Sequence, residues 1–322
     1  MEDFTTLIRR RRRADVLFAA LGAVLIVCAL TILAALMFNL IHDGWGRLSW
    51  DFLTSFPSRK AEKAGIKSPL VGTCLVMLVT ACTAIPLGVA AGVFLEEYAR
   101  KNWVTTVIEV NIANLAGVPS IVWGLMALGL LIYQFEAWFG SPSDDVTGLG
   151  RSILTGGLTL GLLVLPIVIV ATRESIRAIP QAIREASYAC GATRWQTVRD
   201  HVVPYSMGGI LTGSIIAMSR AIGETAPLIT IGALTYIAFL PPAPFSGQTN
   251  AAGEVVGTHG LLDWVHSGFT VLPIQMFNWV SRPDAKFQAN AAAAGLVLVL
   301  ISLLMNGFAI ALRYRTRRNI QW

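Results

Sequence analysis

Long runs without a charged residue dominate the chain, and each is bounded by clusters of arginine, lysine, aspartate or glutamate. Residues 16–41 and 70–95 carry no charge at all. At a rise of about 1.5 Å per residue, a helix over either run crosses the roughly 30 Å hydrocarbon layer of a bilayer. The same pattern predicts spans over 104–133, 152–172, 207–240 and 289–312, six transmembrane helices in all. Polar connections separate them at 42–69, 96–103, 134–151, 173–205 and 241–288. Pro86 with Gly88 and Gly92 predicts a kinked, closely packed second span, and Pro166 lies inside the fourth. The third run is the least uniform, because Glu109, Asn111, Asn114 and the Pro119-Ser120 pair interrupt it.

Five consecutive arginines, Arg9 to Arg13, precede the first run. A secretory signal has an apolar stretch of only about 7 to 15 residues, so this longer run reads as an uncleaved first helix. Composition agrees, with 54% hydrophobic and 14% charged residues and a mean hydropathy of +0.62. Lipid is therefore the main solvent, and the expectation is an all-α polytopic membrane protein in which 1–322 form one transmembrane domain. Its basic tails would be 1–15 and 313–322.

The net charge of +6 does not mark a nucleic-acid surface, since the basic residues are spread by loop rather than gathered on one soluble face. Placing both termini, 96–103 and 173–205 on one side gathers sixteen lysines and arginines there against eight on the other. The positive-inside rule makes that side the cytoplasm, although the cluster in 42–69 runs against the bias. Asp144 and Asp145 read as a solvated turn.

Compact catalytic chemistry is missing from the sequence. There is no GxxxxGK[ST], and indeed no Gly-Lys dipeptide, so the chain has no phosphate-cradling loop of its own. Neither a GxSxG elbow nor an HExxH helix occurs. Cys28, Cys74, Cys82 and Cys190 show no CxxC spacing and read as small core hydrophobes, and the four histidines are scattered. No metal site, bound cofactor or enzymatic activity is expected of this chain, and any ATP and Mg would be used by a partner.

Chemistry concentrates between Glu185 and Pro227. In the loop 173–205, Pro180 suits the start of a short helix over 181–190, Gly191 can take the positive φ that ends it, and 192–201 can form a second short helix before Val203-Pro204. This helix–glycine–helix element offers Ile183, Ala186, Trp195 and Val198 beside Arg184, Arg194 and Arg199, a mixture suited to a protein groove. A solvated amphipathic loop lying on lipid headgroups is the competing reading. In the fifth run, Arg220 falls roughly 20 Å along the helix from Met207, near mid-membrane, with Glu224 one turn further on the same face. A lone charge at that depth costs at least about 2.5 to 3.5 kcal/mol, so the two are expected to pair and face the bundle interior. Pro227 should kink the helix beside them. The pair could line a path for an anion or simply hold two helices in register. Asn111 and Asn114, three apart and so on one face, carry the same ambiguity.

The loop resembles the EAA signature of permease subunits of bacterial ABC importers, E-A-A-x3-G-x9-I-x-L-P, here Glu185, Ala186, Ser187, Gly191, His201, Val203 and Pro204. The spacing is kept, while Ser187, His201 and Val203 depart from the usual alanine, isoleucine and leucine. GVPSIVWG at 117–124, SRAIGETAPLIT at 219–230 and PIQMFNWVSRP at 273–283 narrow the likeness to the PstA family of phosphate-importer permeases. The resemblance implies a type I ABC importer permease fold in the bacterial inner membrane, working by alternating access with a second permease subunit. It further implies two copies of an ABC ATPase and a periplasmic or lipid-anchored phosphate-binding protein. Under it, Arg184, Glu185, Ala186, Gly191, Ala192, Thr193, Arg194, Trp195 and Pro204 would form the ATPase-docking loop. Arg220 and Glu224, with Ser219, Thr225, Asn111, Asn114 and Ser120, would line the translocation pathway. A permease for another oxyanion or polar solute, or an ATP-independent channel or ion-coupled exchanger, are the alternative functions.

Overall fold

In the computed structural model, which describes residues 2–134, 150–233, 237–249, 255–258 and 260–317, each predicted apolar run is mainly helical, the fifth only as far as Thr230. In chain order the helices are α1 (Glu2–Gly44), α2 (Trp50–Thr54), α3 (Lys67–Val93), α4 (Trp103–Leu115), α5 (Ser120–Ala127) and α6 (Ile153–Arg177). They continue as α7 (Gln181–Ala189), α8 (Arg194–Thr197), α9 (Val203–Gly223), α10 (Ala226–Thr230), α11 (Leu272–Val280) and α12 (Lys286–Arg317). Among the described residues one sheet occurs, an antiparallel ribbon of β1 (Gly247–Thr249) and β2 (Val255–Thr258). The turn expected at Asp144 and Asp145 lies outside the described residues.

Helix α6 is the packing centre. It lies between α3 and α9, and small residues set both approaches. On the α3 side, Gly157 meets Val79 and Gly88 meets Val168, where an added Cβ would sit 2.7 Å from the valine Cβ. On the α9 side, Gly213 faces Ala171 and Gly209 faces Ser175. Lipid gives apolar helices little reason to prefer each other over acyl chains, so close backbone approach at small residues is what holds such contacts. Thr80 adds a buried hydroxyl bond to the carbonyl of Gly157 at 3.1 Å.

The connections 42–69 and 241–288, polar in the sequence, form a second core at one end of the bundle. Phe52, Ile66, Leu272, Trp279 and Phe287 are all buried there. Arg47 ties the layer together by donating to Asn290 Oδ1 at 2.8 Å and to the carbonyls of Ala61, Glu62 and Ala64. The FNWVSRP segment is thus structural, with Trp279 between Phe52 and Phe287 and Arg282 over the Phe287 ring.

Two expectations need correction. The third run is not one straight span: α4 and the helix from Ser120 to Gln134 meet at 109°, so the described residues hold five continuous membrane-length helices, or six spans if the bent pair counts as one. Pro119 explains the break, since it donates no hydrogen bond and disfavours helix at the residue before it. The cysteines, expected in the core, are instead exposed on this chain, which in a bilayer suits a small apolar side chain as well as burial does. Helix α1 is exposed along nearly its whole apolar length and meets the body near its end, where Gly44 abuts Ala292 and Ala293 of α12.

Candidate functional site: a helix–glycine–helix element joined to a broken span

Helix α7 starts after Pro180 and ends at Gly191, whose φ of +83° is the left-handed turn that the sequence predicts. Thr193 then opens α8 with a reciprocal capping box to Gln196, satisfying amides that would otherwise be orphaned. The two short helices are joined by a buried hydroxyl pair, Ser187 Oγ to Thr197 Oγ1 at 2.9 Å. That contact gives a physical reason for serine where the signature has alanine. Valine at position 191 should lose about 1 to 2 kcal/mol to left-handed strain. Gly191→Val is therefore expected to speed amide hydrogen exchange across 181–202 by about ten-fold or more while leaving α6 protected.

The second short helix does not stop before Val203-Pro204, as the sequence suggested. Residues Arg194 to Gly223 form one continuous helix. Pro204 gives no N–H to the ladder, and its ring clashes with the carbonyl four residues back in a regular α-helix. A wide π turn over Val198–Val202, in which the Val203 N–H reaches the carbonyl of Val198, carries the helix past the proline unbroken. A single helical rod therefore joins Arg194 to Arg220.

The docking candidates separate into two groups. Glu185, Ala186, Gly191, Thr193, Arg194 and Trp195 are exposed, and Ala192 and Pro204 are half-buried. A hollow of about 340 Å³ opens between the helices, lined by Ser187, Gly191, Ala192, Gln196, Asp200 and His201. Arg184 belongs to the chain's interior instead, with a side chain 12% exposed. It donates to Glu97 Oε1 from Nε at 3.0 Å and from Nη2 at 2.8 Å. Its Nη1 bonds the carbonyl of Ile179 at 3.0 Å and its Nη2 that of Ile176 at 3.1 Å, satisfying the end of α6.

Glu97 lies on a π turn, Phe94–Tyr98, that extends α3. Its neighbour Glu96 takes Arg177 at 3.0 Å and Arg173 at 3.4 Å, and Arg173 also reaches Glu109 of α4 at 2.5 Å. Acidic residues that read as a turn in the sequence thus anchor a network across α3, α4, α6 and α7. The sequence signal for it was the complementary acidic and arginine-bearing connections assigned to the same membrane side.

At the far end of the rod the span breaks. Helix α9 ends at Gly223, Glu224 is extended with ψ 121°, and α10 restarts with Pro227 in its first turn, where a missing N–H costs nothing. Arg220 Nε lies 3.3 Å from Glu224 Oε1, so the predicted pair forms. It does not face the interior of this chain: the Arg220 side chain is 41% exposed and that of Glu224 19%. Gly124 of α5 seats against Pro227 and Thr230, which brings the GVPSIVWG segment that carries Ser120 onto α10, the helix that Thr225 caps. Ser219 points elsewhere, to Asn306 Oδ1 of α12 at 2.6 Å. Asn111 and Asn114 sit on the exposed face of α4, Asn111 donating to the Val107 carbonyl of its own helix.

The chain is a member of the family of binding-protein-dependent transport system inner membrane components, whose profile matches residues 84–318. It is similar to the probable ABC transporter permease protein YqgI of Bacillus subtilis, 35% identical over 275 residues that cover 84% of this chain and 85% of that one. It is also similar to the phosphate transport system permease protein PstA of Yersinia pestis, 28% identical over 297 residues covering 92% and 88%. In fold it matches a chain of a bacterial alginate ABC transporter, solved in complex with an alginate pentasaccharide-bound periplasmic protein, at a TM-score of 0.64 and 14% identity over 92% of this chain and 93% of that one.

Proposed function

We propose that this chain is the PstA-type permease subunit of an ATP-driven importer that brings inorganic phosphate into the bacterial cytoplasm. It would work beside a second permease subunit, two copies of an ABC ATPase and an external phosphate-binding protein, with both termini and 173–205 on the cytoplasmic side. The observation that carries the reading is the continuity of the exposed α7–α8 element with the rod that ends at Arg220 and Glu224. That rod connects an ATPase-facing surface to charges at the level of the membrane. The relatives' names supply the solute.

Arg220 and Glu224 suit a pathway role. A charge at membrane depth is tolerated where protein or water covers it, and on this chain the pair lies at an open surface that a second subunit would face. The guanidinium offers several donors to phosphate oxygens, and the carboxylate 3.3 Å away keeps the empty site from holding an anion tightly. ATP hydrolysis and its Mg belong to the partner ATPase. The test is uptake into proteoliposomes holding the complete complex, the binding protein and labelled phosphate, sulfate or molybdate. Phosphate should accumulate only with ATP and exceed the other two anions by at least ten-fold. Equal uptake without ATP, or a preference for sulfate or molybdate, would sink the proposal.

A further inference from the structure

The signature loop meets the end of α3 at a small receiver, the π turn Phe94–Tyr98. Both short helices grip it. From α7, Arg184 makes its two bonds to Glu97, and from α8, the Arg194 guanidinium stacks 5.5 Å from the centre of the Tyr98 ring. The Arg184–Glu97 contact is the stronger of the two. Both side chains are nearly buried, at 12% and 7% exposed, and the arginine also holds the carbonyl of Ile176 in the last turn of α6 and that of Ile179 just beyond it. Charge-assisted, two-pronged bonds of this kind fix direction as well as distance.

Beyond the receiver the load spreads. Glu96, next in the chain to Glu97, is held by Arg173 and Arg177 of α6, and Arg173 reaches Glu109 of α4. A displacement of α7 is therefore passed to α3 through Glu97, and the Glu96 network ties that end of α3 to α4 and α6. The rod from Arg194 carries the displacement of α8 separately. Arg184 faces inward, so its part is played inside the chain rather than at the docked surface.

We infer that Glu97 and Arg184 are positioning residues for transport, forming the internal joint that converts movement of the first short helix into movement of the spans. This rests on the ATP-driven importer reading above. The joint predicts that ATP can be hydrolysed without productive movement when it is loosened. Removing one partner alone would leave a buried charge and risk the fold, so the pair is neutralised together in Glu97→Gln/Arg184→Met. Arg184→Lys keeps the charge but cannot bridge the carboxylate and both carbonyls at once.

Complete complexes carrying either variant, purified through the ATPase and reconstituted with the binding protein, are assayed for phosphate delivered per ATP hydrolysed. The double variant should deliver at least five-fold less phosphate per ATP than the parent, with Arg184→Lys between the two. A purely structural contact would lower the yield of complex and leave this ratio alone. Ratios within two-fold of the parent in both variants would overturn the inference, as would failure of both to assemble, because the contact would then serve folding. A parent complex that moves no phosphate on ATP would instead overturn the importer reading and this inference with it.

Discussion

Arg173→Met is expected to destabilise the folded chain by about 3 kcal/mol, the lower end of what loss of one partner from a buried ion pair costs. Arg173 is 8% exposed and is shared by two carboxylates, Glu96 and Glu109, that come from different helices. Methionine fills similar volume but leaves Glu109, whose side chain is only 33% exposed, without its cation. Glu96 keeps Arg177, which holds the loss below the upper end of the range. The comparison variant is Arg177→Met. That side chain is 45% exposed, and the carboxylate it leaves behind still has Arg173, so about 1 kcal/mol or less is expected. Neutralising the acids as well, in Arg173→Met/Glu96→Gln/Glu109→Gln, should recover most of the loss, since no uncompensated charge then remains buried. Detergent unfolding in mixed micelles, followed by tryptophan fluorescence, measures all three. Equal losses for the two single variants would show that burial of the network does not set its contribution.

The same network marks where sequence reading stops. Hydropathy located the spans because each must satisfy lipid over its own length, a local demand visible in any window of about twenty residues. Gly191 was legible for a similar reason: a left-handed turn needs a residue without a Cβ, and its φ of +83° meets that need. Glu97 with Arg184 and Ser219 with Asn306 are pairings 87 residues apart in the chain, and no local pattern specifies them. The π turns were equally hidden. Val203-Pro204 reads as a break under ordinary α-helical rules, and only the inserted wide turn at Val198–Val202 lets the rod continue. Pro119 and Pro227 were legible as disturbances of their runs, but at both the helix breaks where the sequence suggested a span that continues or kinks.

Arg220→Gln is expected to lower ATP-dependent phosphate uptake by at least ten-fold while the complex assembles normally. Glutamine keeps two donors and much of the side chain's reach but removes the charge that attracts an anion. Assembly should survive because the Arg220 side chain is 41% exposed and that of Glu224 19% exposed on this chain, so neither is packed into its core. A register-holding ion pair would behave in the opposite way. It would lose thermal stability with uptake per assembled complex preserved, and Glu224→Gln would have the same effect as Arg220→Gln. The pathway role instead separates the two: with Glu224→Gln the arginine loses the carboxylate that competes with the solute, so phosphate should bind more tightly and leave more slowly. Uptake then falls with a lower half-saturation for phosphate-loaded binding protein, whereas Arg220→Gln raises it or leaves it unchanged. Normal uptake and normal assembly in Arg220→Gln would rule the residue out of the pathway. The divergence of the two variants is the sharper criterion, because helix packing gives no reason for removal of an acid and of its base to shift half-saturation in different directions.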